Sequence, residues 1–226
     1  MQGCHVNTPT LLAIQVGKPA EQGADSISDK PWQSGIFKAT VSGRVWLDME
    51  NLAGDGQDDL KNHGGAFRAV LAYSADHYPK WREGLGVDLQ YGAFGENFTV
   101  SGVDETSICL GDVIAVGDVR LQVAQPRLPC WKLARRNGFK DLADRVDKTN
   151  RGGWYHRVLQ TGYVEAGDAY AILERPYPDF SIARVVDLIH EREVNVEAWR
   201  KLGSLEVLTP RWRQRFNGKA DTAEAR

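Results

Sequence analysis

One cysteine in this chain follows a turn framed by two prolines, in Gln125-Pro126-Arg127-Leu128-Pro129-Cys130-Trp131-Lys132. Pro126 and Pro129 fix two φ angles and bias Gln125 and Leu128 toward extended backbone, so the thiol of Cys130 is carried on a loop of restricted shape. Arg127 and Lys132 flank it with positive charge, which favours the thiolate, the form that attacks electrophiles or ligates a metal. A lone cysteine is more often a small buried hydrophobe. Local chemistry alone leaves both readings open.

Three further segments carry residue types that could act with it. In Gly54-Asp55-Gly56-Gln57-Asp58-Asp59-Leu60-Lys61-Asn62-His63-Gly64-Gly65 the acidic run lacks the spacing of a calcium loop. The two glycines after His63 leave backbone N–H groups uncovered, an arrangement suited to an anion, with Lys61 and Arg68 adding charge; a plain loop explains the glycine pair equally well. In Phe94-Gly95-Glu96-Asn97-Phe98-Thr99-Val100, Asn97 can donate and accept, so it can read a heterocycle edge or close its own turn. Gly152-Gly153-Trp154-Tyr155-His156-Arg157-Val158-Leu159 predicts a helix over 154–160, with Trp154 and Arg157 on one face. Cys130, His63, His77 and His156 lack the pairwise spacing of a structural zinc site. A Cys–His nucleophile using His63 or His156 as base has the right residue types but no family signature.

In order and spacing these four segments resemble the MOSC domain, and within it the stand-alone bacterial YiiM type, over about residues 10–175 plus a helical tail. The resemblance implies a molybdenum cofactor (molybdenum–molybdopterin) with Cys130 as the catalytic cysteine and metal ligand. Lys61, His63, Arg68, Asn97, Arg127 and Lys132 are then the candidate cofactor-binding residues, and Arg135 adds to the positive surface. A thiolate is a soft ligand that suits such a metal. The resemblance further implies an oxidoreductase that reduces N-hydroxylated compounds such as N-hydroxylaminopurine base analogues. An external electron donor, a flavin reductase, must supply the electrons, because three dispersed cysteines cannot hold an iron–sulfur cluster and no flavin or haem signature is visible. The alternative is a molybdenum cofactor or sulfur carrier, with a persulfide on Cys130. Where close relatives are expected to read Gly-Gly-Pro-Asp-Lys-Ala-Val, this chain reads Gly-Gly-Ala-Phe-Arg-Ala-Val, so Phe67 replaces an acid.

The elements that must position these residues read as β-rich α+β. Short apolar or β-branched runs at 11–16, 35–47, 69–73, 97–100, 113–116, 119–125 and 169–173, separated by glycines, suggest a closed or partly closed barrel of the MOSC type with peripheral helices. Gly117-Asp118 has hairpin spacing. Helices are expected after Ser74, after Pro129 and over 140–146. The composition changes after Arg175-Pro176-Tyr177-Pro178. Three short helices then follow as a small C-terminal bundle, capped by Ser181 or Asp179, spanning 195–202 with Gly203 as terminator, and opened by Thr209-Pro210. The expected division is 1–175 for the cofactor-binding domain and 179–220 for the helical subdomain.

The chain of 226 residues has 42% hydrophobic and 26% charged residues with a net charge of −2, which is ordinary for a globular protein. Its apolar runs fall well short of the ~20 residues of a membrane span. The N-terminal residues lack the pattern of a signal peptide, and the cysteine usage fits a reduced, cytoplasmic setting. From Arg127 to Arg157 nine Lys/Arg face three Asp. Such a surplus points to an anionic small molecule more economically than to nucleic acid, and the arginines of the tail read as an ordinary solvated face.

Overall fold

The structure is a computed structural model and describes residues 8–58 and 64–225. Twelve strands and six α-helices are formed there. The strands are β1 (Thr10–Val16), β2 (Ala20–Gln22), β3 (Trp32–Ser34), β4 (Ala39–Val41), β5 (Val45–Leu47), β6 (Val70–Ser74), β7 (Phe98–Ser101), β8 (Val113–Val116), β9 (Val119–Pro126), β10 (Trp154–Gln160), β11 (Gly162–Val164) and β12 (Ala171–Glu174). The helices are α1 (Tyr78–Leu85), α2 (Trp131–Asn137), α3 (Leu142–Lys148), α4 (Ile182–Ile189), α5 (Val196–Ser204) and α6 (Pro210–Glu224).

Eight strands form one mixed sheet in the order β12-β8-β9-β10-β6-β7-β1-β4, antiparallel except for β6 beside β7. Of the closed or partly closed barrel expected, a closed one is not found among the described residues. The sheet ends on β12 and β4, and only a short patch links β1 to the chain ahead of β12: Leu11 N–H donates to Asp168 O at 2.9 Å and Tyr170 N–H to Pro9 O at 2.7 Å. Hairpin β8–β9 turns at Gly117 with Val116 opposite Val119, as the Gly-Asp pair suggested. All five residues of β6 are buried, because both of its faces are covered. Val70 and Ala72 enter the main core with Leu11, Ile14, Phe98 and Trp154, while Tyr73 enters a second cluster with Trp81, Phe94 and Leu133.

The helix expected over 154–160 is strand β10, lying between β9 and β6. Its burial alternates, with Trp154 and His156 inside and Tyr155 and Arg157 half-buried on the other side. Aromatic and branched residues between two open strand edges favour the pleated surface over a helix. In the tail, α4, α5 and α6 pack Val185, Leu188, Trp199, Leu202 and Phe216 around Leu110. Ser181, Asn195 and Thr209 cap them by accepting from Arg184, Ala198 and Trp212 N–H groups. Gly203 lies inside α5 and does not end it. A Cβ there would stand 2.1 Å from Asn217 Oδ1, so this glycine admits the close approach of α6. No helix among the described residues is long and apolar enough to cross a membrane.

Candidate functional site

β9 delivers the cysteine loop. Its last residue, Pro126, pairs with Trp154, and Arg127 N–H then donates to Gly153 O at 3.0 Å. Gly152 makes this approach possible, since a Cβ there would lie 2.3 Å from Arg127 O. Gly153 is fixed in turn by donating its N–H to Glu105 Oε1 at 2.7 Å, while Glu105 Oε2 shares a 2.6 Å hydrogen bond with His77 Nε2. From this anchored start the loop reaches Cys130, whose extended backbone precedes the first turn of α2 and whose carbonyl accepts from Leu133 N–H at 3.0 Å. The thiol is half-buried.

Cys130 opens on a cleft of about 740 Å³ shared with Arg68, Asn97, Arg127, Lys132 and Tyr155. Five of the seven residues expected to serve the site therefore meet in one place. The other two, Lys61 and His63, lie outside the described residues. Phe67 stands against Arg157, whose guanidinium sits 5.5 Å from the ring centre, and it is not among the cleft's described lining residues.

The cations differ in what they hold. Arg127 is 6% exposed and reaches Phe94 O from Nη2 at 3.4 Å, while its buried Nη1 has no hydrogen-bond partner among the described residues. A buried donor left unmet costs about 1–3 kcal/mol, so an oxygen entering the cleft would relieve it. Lys132 is paired with Asp58 at 2.6 Å. Arg135 is tied to Asp25 and to the carbonyls of Ser28 and Lys30, and it holds the 25–30 loop instead of facing the cleft. Arg136 binds Ile36 O, and Arg145 pairs with Asp141 one helical turn away at 2.8 Å. Much of the basic surplus between Arg127 and Arg157 is thus used inside the fold.

Asn97 is 5% exposed and fully engaged. Its Oδ1 accepts from Leu71 N–H at 3.1 Å, and its Nδ2 donates to Gln15 O at 3.2 Å and Asp55 Oδ2 at 2.7 Å. It joins β1, β6 and the Asp55 loop beneath the cleft, with its amide directed at protein and not at a heterocycle. The preceding Glu96 shapes the same segment: its fully buried carboxylate accepts from Gly92 N–H at 2.8 Å, Phe94 N–H and Thr99 Oγ1 at 3.1 Å each, and Tyr78 OH. Three lining residues went unrecognised in the sequence. Asp55 accepts from Gly17 N–H at 2.9 Å and from Lys38, whose ammonium burial pushes to a lower pKa against the pull of Asp55. Tyr155 lies under Arg68, 6.0 Å from its guanidinium, and burial raises its phenol so that it stays protonated. Alternation along β10 is the signal that would have separated Tyr155 from Trp154 and His156.

The histidines weighed for zinc or for a hydrolase are placed elsewhere. His156 is fully buried, bonded through Nε2 to Tyr170 OH at 2.6 Å, on the opposite side of β10 from Tyr155. His77 is held by Glu105. Among the described residues no group of three or more His, Cys, Asp or Glu side chains is gathered to hold a metal ion. The cleft therefore offers one thiol, a neutral phenol, an unmet guanidinium N–H and a surplus of cations over Asp55 and Asp58. That donor set fits a soft metal carried on an anionic, hydrogen-bonding cofactor.

Residues 59–171 match the family model described as MOSC domain. The chain is 38% identical over 212 residues to YflK of Bacillus subtilis, covering 94% of this chain and 95% of that protein. It is also 38% identical over 167 residues to a protein named reductase from Gibberella moniliformis, of which it spans 30%. The crystal structure of YiiM from Geobacillus stearothermophilus superposes with a TM-score of 0.78 at 31% identity, covering 94% of this chain and 99% of that one.

Proposed function

This chain belongs to the MOSC domain family, and on that footing we propose that it is a molybdenum cofactor-dependent reductase of N-hydroxylated compounds, N-hydroxylaminopurine-type bases among them. MOSC domains are associated with molybdenum cofactor binding in general. The observation that carries the reading is the meeting of the Cys130 thiol and the unmet Arg127 N–H in one cleft. Cys130 would hold the metal, and Arg127, with Arg68 beside it, would hold the anionic part of the cofactor; Lys132, paired with Asp58, orients the floor. When bound, the cofactor supplies two-electron redox chemistry.

Reduction breaks the substrate N–O bond with two electrons and two protons and yields the amine and water. The electrons come from a separate donor of the flavin reductase class. Tyr155, kept neutral by burial, shares the cleft with Cys130 and would serve there as an O–H donor. The name of the Gibberella protein supports an oxidoreductase role.

The test is molybdenum per protein, and reduction of an N-hydroxylated base, in wild type and Cys130→Ala made in a host that synthesises the cofactor. Metal that disappears with the thiol, together with lost turnover and an unchanged circular dichroism spectrum, supports the reading. Full turnover in the variant sinks it. A persulfide on Cys130 in metal-free protein would favour the carrier alternative.

A further inference from the structure

Cys130 borders a second cleft, and its walls differ in kind from those of the first. This space, about 890 Å³, lies between α6 and the 126–130 loop. Arg68, Leu128, Cys130 and Tyr155 line both clefts, so both border the same cysteine. The first cleft answers its cations with Asp55 and Asp58. The second sets Arg68, Arg211 and Arg215 around the apolar surfaces of Pro126, Pro129 and Trp212, and no carboxylate is among its described lining residues.

Three other arginines of the tail are matched, Arg184 with Glu193 at 2.7 Å, Arg192 with Asp147 at 2.9 Å and Arg200 with Asp221 at 2.7 Å, while Arg213 Nε is buried without a partner among the described residues. The Arg211 guanidinium makes no ion pair or hydrogen bond among the described residues, and Arg215 lies over the Trp212 ring at 5.0 Å. Trp212 is itself fixed, donating from Nε1 to Gln125 Oε1 at 2.8 Å and stacking on Phe216. A rigid aromatic wall beside the Arg211 and Arg215 guanidinium groups suits a ligand that is flat and apolar at one end and phosphorylated at the other.

We propose that this second cleft is the substrate site and that the substrate is a nucleotide, with its N-hydroxylated base on the apolar walls next to Cys130 and its phosphate on Arg211 and Arg215. The N-hydroxyl rests on the reductase reading above; the nucleotide form does not. Cofactor and substrate then approach the sulfur from different sides.

The probes are adenosine 5′-monophosphate and adenosine, titrated calorimetrically into cofactor-free and cofactor-loaded protein. The nucleotide should bind about tenfold or more tightly than the nucleoside, and Arg211→Ala or Arg211→Glu should weaken it by about tenfold or more. Added salt should weaken it further. Equal binding of the two probes, binding of neither, or indifference to Arg211→Glu overturns the proposal. Nucleotide binding that vanishes on loading assigns the arginines to the cofactor's own phosphate and overturns it too. In turnover, Arg211→Ala should raise KM for an N-hydroxylated nucleotide far more than for its free base. Loaded protein that binds the nucleotide through Arg211 yet reduces no N-hydroxylated compound sinks the reductase reading alone; turnover of the base with the nucleotide ignored sinks this proposal alone.

Discussion

Arg127 lines the first cleft, and one edge of its guanidinium has no partner among the described residues. Arg127→Ala removes that edge, and the expected result is a loss of about tenfold or more in retained molybdenum, the scale of one charge-assisted hydrogen bond. Arg127→Lys keeps the charge without the planar fork and should recover only part of the metal. Metal analysis of the purified variants decides between these outcomes. Cys130 and Arg127 were legible in the sequence because prolines and charges adjacent along the chain mark them. Asp55, Lys38 and Tyr155 were not, since each becomes part of the site only when distant elements meet. Asn97 was legible as a residue type but not in its role: three protein hydrogen bonds engage its amide.

The strand β10 and the 92–97 segment both contribute lining residues to the cleft. Gly152→Ala would drive a Cβ to 2.3 Å from Arg127 O, so the cysteine loop must shift. Crowding of this kind costs about 1–3 kcal/mol, and the variant should retain its secondary structure while its molybdenum content falls; wild-type metal content would show that the loop tolerates the methyl. Glu96→Ala strips the acceptor from Tyr78, Gly92, Phe94 and Thr99 together. A loss of about 3 kcal/mol, roughly 6–12 °C in Tm, is expected and is read by thermal melting. Hairpin β8–β9 and the three tail helices were readable from turn residues, caps and apolar period. β10 was misread because its three- and four-residue spacings also fit a helix, and only pairing with β6 and β9 decides between the two. Gly203 was misread as a stop because the neighbour that demands it, Asn217, is brought close only by α6.

Taken as a whole, the protein should lose stability in mild acid through one buried ring. Burial holds His156 at a pKa of about 4 against an ordinary 6.5. Above pH 6.5 the ring is neutral in folded and unfolded chains alike. Between that value and pH 4 the unfolded chain takes up a proton that the folded one refuses, so stability falls by about 1.4 kcal/mol per pH unit and about 3 kcal/mol in all. Urea unfolding at pH 7 and pH 4.5 should show a smaller drop in His156→Phe than in wild type, even though the variant starts lower for want of the Tyr170 bond; parallel drops would assign the acid sensitivity to other groups. The β-rich α+β class was visible from many short strands, but the openness of the sheet was not, because closure depends on which strand edges meet. The short patch joining Pro9 and Leu11 to residues 167–170 has a consequence for synthesis. β1 pairs there with chain made far later, so Leu11 waits with an unsealed edge until residues 167–170 have been made. Long-range closure of this kind is slow and leaves apolar edges exposed until the later chain is in place.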